Sequence, residues 1–206
     1  ALCLQAFGKA RVTGVTFTGD NALAEKFGIE CISVPFFPLE KAAQDACGLT
    51  ANAALTARLQ GAMLSSLAET RRTMLLSPLD RTAFMTGAFT LYGETCGYLA
   101  PLGNLYGADI AMLCKHFAGQ YPCAFGAVTE PESASKDRII HELADRNTSP
   151  SDLLQNTGMI FKEDEVRAIQ RKLVASALKR SQFPLVLRVD NPQERLEFPI
   201  SHRLND

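Results

Sequence analysis

Apolar positions recur along this chain with two different periods, and each change of period marks an element. Over residues 11–18 (RVTGVTFT), Val15 and Phe17 alternate with Thr16 and Thr18, which predicts a strand. Asp20 or Asn21 then caps a short helix that Gly28 ends. IECISVPFF predicts a second strand, confined to an edge by Pro35, which lacks a ladder donor. PLEKAAQDACG predicts a short helix with Pro38 in its first turn and Gly48 as its C-terminal cap.

After Thr50 the period lengthens. Leu55, Leu59, Met63, Leu67 and Met74 recur at helical intervals, Arg58, Glu69, Arg71 and Arg72 face water, and the helix is expected to end near Leu76. Ser77-Pro78-Leu79-Asp80 spells a helix start, and the device recurs as Ser149-Pro150-Ser151-Asp152. The two stretches diverge after a few residues, so they mark two capped helices and no internal repeat. The helix launched at Ser77 is expected to run into residues 90–109 and to stop before Pro101. Further helices are predicted over Ala108–Ala118 (with Gly119 as stop), Ser133–Arg146 and Lys162–Ser181. Between the first two lies a loop, YPCAFGAVTEPES.

The last segment returns to a period of two. Leu185, Leu187 and Val189 share one face, Leu196, Phe198 and Ile200 share another, and Asn191-Pro192 begins a turn, which predicts a β-hairpin with Pro199 marking an edge. The fold class expected from these patterns is α+β: a mostly helical core with a small antiparallel sheet made from the N-terminal strands and the C-terminal hairpin. The 206 residues suit a single compact domain, with a subdivision near 123–133 as the variant.

Composition narrows the function classes. A formal net charge of -1 gives no global pull toward nucleic acid or an anionic membrane. The excess of basic residues from Lys162 onward is slight, and a face with Arg167, Arg171 and Lys172 suits solvent. No charge-free run approaches the roughly 20 residues that span a bilayer. Lys9 and Arg11 interrupt any signal-like core, although a chain starting at Ala1 is compatible with an excised leader. The six cysteines (Cys3, Cys31, Cys47, Cys96, Cys114, Cys123) show no Cys-x-x-Cys spacing and favour a reducing compartment, so a cytoplasmic location is expected.

Candidate chemistry centres on TLYGETCGYLAPLGNLYGAD, residues 90–109. It lacks both Gly-x-x-x-x-Gly-Lys and Gly-x-Gly-x-x-Gly, and no basic residue lies between Arg81 and Lys115, so a phosphate cradle is not supported. Gly93 and Gly97, four apart, suit close packing of one backbone on another. A second reading makes Tyr92, Cys96, Tyr98 and Tyr106 the lining of an apolar ligand pocket. His141 and Asp145 are four apart on one helix face but lack the second His of a metalloprotease pair, and a solvated face is the simpler account. Cys114 and His116 point to different sides of a helix, and Cys114 reads as core. No catalytic, metal or cofactor residue is nominated.

The function expected from this balance is a non-catalytic adaptor, chaperone-like or structural subunit of a larger assembly, of the kind found in secretion systems. Its partners would be other protein subunits, in a homo- or hetero-oligomer, with no nucleic acid and no membrane insertion. The hairpin residues Leu185, Leu187, Leu196, Phe198 and Ile200, with Phe36 and Phe37, would carry the contact, and Phe125 and Phe161 are further loop anchors. The alternative is an enzyme or small-ligand protein built around the tyrosine pocket.

Overall fold

The computed structural model of the chain describes residues 1–50, 52–121, 134–156, 161–181 and 185–186. Helices dominate it, and the strands are short. The first quarter alternates helix and strand: α1 (Leu2–Phe7), β1 (Thr13–Thr16), α2 (Ala22–Phe27) and β2 (Glu30–Ser33). The alternating segments of the sequence become β1 and β2, and Gly28 closes α2 in the left-handed conformation at φ 63°, where a residue with a Cβ is strained. β1 and β2 pair in parallel, Thr13 opposite Glu30 through Thr16 opposite Ser33. A parallel pair needs a crossover rather than a hairpin, and α2 is that crossover.

This corrects the expected antiparallel sheet. A strand–helix–strand pattern with α2 between the two strands specifies a parallel neighbour. The second sheet is parallel as well: β3 (Leu99–Ala100) pairs with β4 (Leu185–Val186), and Leu76 bridges Leu99 in the same sense. Residues 185–186 therefore enter a parallel ladder with β3, not the first arm of an antiparallel sheet. Leu187, Leu196, Phe198 and Ile200 lie outside the described residues, as do the turn at Asn191-Pro192, Cys123, Phe125 and the expected subdivision at 123–133.

Two helices follow β2: α3 (Phe37–Cys47) and α4 (Ala53–Arg71). Asn52 caps α4 by accepting from the amides of Ala54 and Leu55. The helix ends before Leu75 and Leu76, which turn extended beside Tyr98 and Leu99. The helix at Ser77 starts later and stops sooner than its sequence suggests. α5 is only Arg81–Thr86, capped by Asp80 accepting from the amide of Ala83 and ended by Gly87 at φ 70°. Residues 90–97 are therefore not an α-helix but a folded turn that includes a single 3-10 turn at Glu94–Cys96. Thr90 N–H donates to Glu94, Tyr92 N–H to the Thr95 hydroxyl, and Tyr92 itself sits at φ 64°.

The remaining elements are α6 (Gly107–Gln120), α7 (Ala134–Ile140) running into a π-helical turn (His141–Asp145), α8 (Pro150–Asn156), α9 (Glu163–Ala175) and α10 (Ala177–Arg180). Here the Ser-Pro signature holds, since Ser149 accepts from the amide of Asp152 at 3.0 Å. The predicted helix over 162–181 breaks at Ser176, whose hydroxyl bonds back to the Leu173 carbonyl and across to that of Met85. The core gathers α5 with α7, α8 and α9: Phe84, Met85, Ile139, Leu143, Leu153 and Leu173 are among its fully or nearly fully buried residues. Among the described residues, no helix is long and apolar enough to cross a membrane.

Candidate functional site

The chemistry of the molecule collects where chain segments leave the second parallel sheet. Leu76 and β3 run side by side, and the segments that follow them, 77–80 and 101–106, leave the same end of the ladder. In open parallel sheets this end is where ligands bind, because loops diverge there and leave a crevice. A cavity of about 340 Å3 lies at this point. Leu76, Ser77 and Pro78 form one wall, Pro101 and Leu102 a second; Leu113, Cys114 and Phe117 of α6, with Ala1 to Cys3, close the rest. Ser77 does not open a helix as its signature suggests. Its hydroxyl donates to the Glu94 carbonyl at 2.6 Å and so fastens the wall to the glycine turn.

Behind the two walls lies a buried polar cluster. Arg81, directly after Asp80, donates its amide to the Leu105 carbonyl at 2.9 Å, which ties the two walls together. Its guanidinium is buried and forms a two-pronged ion pair with Asp145, one prong being Nε to Oδ2 at 3.2 Å. Nη1 reaches Asn104 Oδ1 at 3.4 Å. Tyr106 donates its hydroxyl to Asp145 Oδ2 at 2.5 Å, and His141 Nδ1 lies 3.0 Å from that same oxygen. The Asp145 side chain is 1 % exposed, so its carboxylate is held by arginine, phenol and imidazole and not by water. His141 forms the outer rim of the cluster, 35 % exposed.

The electrostatics follow from this burial. Desolvation works against the Arg81 cation, but its bonds to Asp145 and Tyr106 and the charge of Asp145 prevail and hold its pKa above the ordinary value. Burial is the main cause that pushes the Tyr106 phenol far above its usual range; Arg81 opposes the shift and Asp145 adds to it. Tyr106 therefore stays a hydrogen-bond donor at all physiological pH values. A neighbouring carboxylate, Asp137, accepts from the Thr82 hydroxyl at 2.6 Å and from the amide of Ala108 at 3.0 Å. Asp109 accepts from the Tyr106 amide at 2.9 Å and the Thr82 hydroxyl from that of Gly107 at 3.2 Å, so the amides that open α6 are already answered by protein side chains.

The sequence-predicted residues separate in space. Tyr92 and Tyr98 are each 65 % exposed, Cys96 is half-buried, and Tyr106 lies in the Arg81 cluster. Burial raises the Cys96 thiol above its ordinary value, against a bond from Ser65, which leaves it a poor nucleophile. The close-packing reading of the glycines fits better, though on a turn rather than a helix. A Cβ on Gly93 would stand 2.9 Å from the Ala57 Cβ, and one on Gly97 would collide with the Ser77 backbone. Phe36 is buried, edge-on to Phe17 at 5.2 Å, whereas Phe37 is exposed. Phe161 is half-buried against the core. Cys114 lines the cavity.

Sequence reasoning missed Arg81 and misread Asp145. The helix face carrying His141 and Asp145 is solvated only at His141; the π-helical turn and the arrival of α5 bury the Asp145 carboxylate. Local sequence carried no signal for the pair: Arg81 stands between Asp80 and Thr82, and Asp145 lies between Glu142 and Arg146, as solvated charges do. Among the described residues, no three His, Cys, Asp or Glu side chains come together to hold a metal ion.

Comparison with known proteins fixes the lineage. Residues 1–135 match the NAD synthase family. Among curated proteins, the glutamine-dependent NAD(+) synthetase of Synechocystis is 25% identical over 224 residues, 92% of this chain and 40% of that protein. Among solved structures, a glutamine-dependent NAD(+) synthetase from Cytophaga hutchinsonii superposes with a TM-score of 0.69 at 15% identity, over 91% of this chain and 38% of that one. The NH3-dependent NAD synthetase from Campylobacter jejuni, solved with a nitrate ion, gives 0.65 at 16% identity, over 91% and 82%. The chain thus spans less than half the length of its glutamine-dependent relatives. These matches overturn the expected non-catalytic adaptor, chaperone or structural subunit, which rested on the lack of any recognisable catalytic motif. With well over half of its length matched, the chain belongs to the NAD synthase family.

Proposed function

We propose that this chain is an enzyme of NAD(+) synthesis and supplies the part of the synthetase that uses ammonia. The observation that carries the proposal is the family match over residues 1–135. Its coverage adds the finer point. The chain corresponds to 82% of an NH3-dependent synthetase but only 38% of a glutamine-dependent one. The portion held in common is then the portion that works on ammonia, with glutamine use placed in the remainder of the longer proteins. The cavity at the strand ends is the matching site on this chain, since loops that diverge from parallel strands form ligand crevices.

NAD(+) carries a primary carboxamide. An ammonia-dependent synthesis makes that amide from the corresponding carboxylic acid, with cleavage of a phosphoanhydride to drive it. The test supplies the full chain with the acid form of the dinucleotide, ATP, and either ammonium or glutamine, and follows NAD(+) by chromatography. NAD(+) formation with ammonium and not with glutamine is the expected result. Failure to form NAD(+) from either nitrogen source, by folded protein, would overturn the reading.

A further inference from the structure

We propose that Asp145 and His141, both beyond the family match, are positioning residues for the cavity, with His141 acting through its Nδ1–H on the Asp145 carboxylate. The assignment of the cavity as the synthetase site rests on the function proposed above; the mechanical link between cluster and cavity does not.

The link is a short chain of bonds. Residues 76–78 and 101–102 form two cavity walls, and each wall continues through a few residues into a cluster residue, Arg81 in one case and Tyr106 in the other. Arg81 N–H donates to the Leu105 carbonyl, Leu105 N–H to Leu102, and Gly103 N–H to Ala100, so the second wall is rigid up to its junction with the first. What sets the Arg81 and Tyr106 side chains is one carboxylate. Asp145 takes both guanidinium prongs and the phenol hydroxyl, and its fourth bond comes from His141. A carboxylate only accepts, so in the neutral imidazole Nδ1 carries the hydrogen and Nε2 keeps its lone pair. His141 also stands edge-on to the Tyr106 ring, with centroids 6.0 Å apart. Three donors, Arg81 Nε, the Tyr106 hydroxyl and His141 Nδ1–H, converge on Oδ2, and removing the Nδ1–H takes away the one of them that comes from the rim, so the carboxylate that fixes Arg81 and Tyr106 is held less tightly.

Two substitutions separate this role from a direct contact with ligand. In His141→Asn the side-chain amide nitrogen takes the place of Nδ1, so the bond to Asp145 survives while Nε2 is lost. His141→Gln does the reverse. The first readout needs no activity: the rates at which N-ethylmaleimide alkylates Cys3 and Cys114, which line the cavity, followed by peptide mass mapping, with exposed Cys47 as internal control. His141→Gln should speed alkylation of Cys114 by about threefold or more through local loosening, with Cys47 unchanged and His141→Asn like the parent protein. The second readout is NAD(+) formation with ammonium. Here His141→Gln should lower kcat by about tenfold through misplaced walls, and His141→Asn should stay within about twofold of the parent.

Parent-like alkylation in His141→Gln would overturn the proposal. So would equal effects of the two variants, or a loss confined to His141→Asn, which would assign the role to Nε2. If the parent protein makes no NAD(+), the proposed function fails while the alkylation rates still decide the positioning role.

Discussion

Arg81–Asp145 and Arg71–Glu30 are both arginine–carboxylate pairs joining segments far apart in sequence, by 64 and 41 residues. They sit in different regions and do different work. Arg71 and Glu30 tie the end of α4 to the parallel pair β1–β2, with side chains 45% and 57% exposed. Arg81 and Asp145 are each 1% exposed and lie between α5, the start of α6 and the π-helical turn after α7. Charges in water lose little when separated, whereas charges in a closed site cannot be separated without leaving one of them stranded. The N-terminal quarter follows the pattern of the first pair, with few buried residues; the region from Leu79 to Leu173 follows the second, and the main apolar cluster lies wholly within it. That cluster crosses the end of the family match at residue 135, so the helices beyond it are structurally part of the same unit as α5.

The largest expected effect comes from breaking the buried pair on one side. Asp145→Ala strands the Arg81 guanidinium and should destabilise the protein by about 3–5 kcal/mol in urea unfolding. Replacing both partners, as Arg81→Met with Asp145→Leu, should cost much less than Asp145→Ala alone, because no charge is then left without a counterpart. Additive losses in the pair of variants would mean that the two residues do not share an enclosed site. Next comes the apolar cluster. Leu173→Ala should cost about 2–5 kcal/mol through the cavity left in a fully buried position. Leu23→Ala, at an exposed position in the N-terminal quarter, should fall within about 0.5 kcal/mol of the parent. Similar losses at both positions would erase the contrast between the regions.

What the sequence shows and hides follows the same division. The helices of the core were legible because their apolar stripes are regular: Ile139, Ile140 and Leu143, then Val166, Ile169 and Leu173, are all buried. The caps at Gly28, Gly48 and Ser149 were legible because each is a local event. Strand direction is not written in either strand's own alternation; only the helix between β1 and β2 carries it, through the crossover that it requires. Arg81 and Asp145 were hidden because their bond joins two elements across 64 residues, and each alone resembles an ordinary surface charge. The turn at 90–97 was read as a helix because its spacing of glycines and aromatics suits one. Gly87 ends α5 first, and Ala57 and Ser77 approach too closely for side chains at Gly93 and Gly97.

A smaller effect should come from Tyr106→Phe, which removes one donor to Asp145 and leaves Arg81 in place. A loss of about 1–2 kcal/mol is expected from the missing bond to the buried carboxylate. The pH dependence identifies the group. The Tyr106 pKa is raised by folding from an ordinary value of 10.0, so the folded protein retains a proton that the unfolded chain gives up. Its contribution is therefore complete below that value and declines as pH rises through it toward the folded pKa. Unfolding measured at increasing alkaline pH should show a shallower loss in Tyr106→Phe than in the parent. Identical slopes would remove Tyr106 from the buried cluster.

The smallest effect belongs to the exposed pair and completes the comparison. The bond from Arg71, with a second from Thr13, lowers the Glu30 pKa below its ordinary value of 4.5. A depressed carboxylate stabilises the fold at pH values above the unfolded pKa, and that contribution is lost as pH falls through the folded value. Any advantage of the parent over Glu30→Gln should therefore be small near neutral pH, shrink in high salt, and vanish in acid. Unfolding midpoints for the two proteins, taken at neutral pH with and without added salt and again in acid, measure all three. Asp145 gives the opposite salt result, since ions cannot enter its site: the cost of Asp145→Ala should be nearly the same at low and high ionic strength. If salt abolished both costs alike, Asp145 would be exchanging with solvent, and the two arginine pairs would differ in place but not in kind.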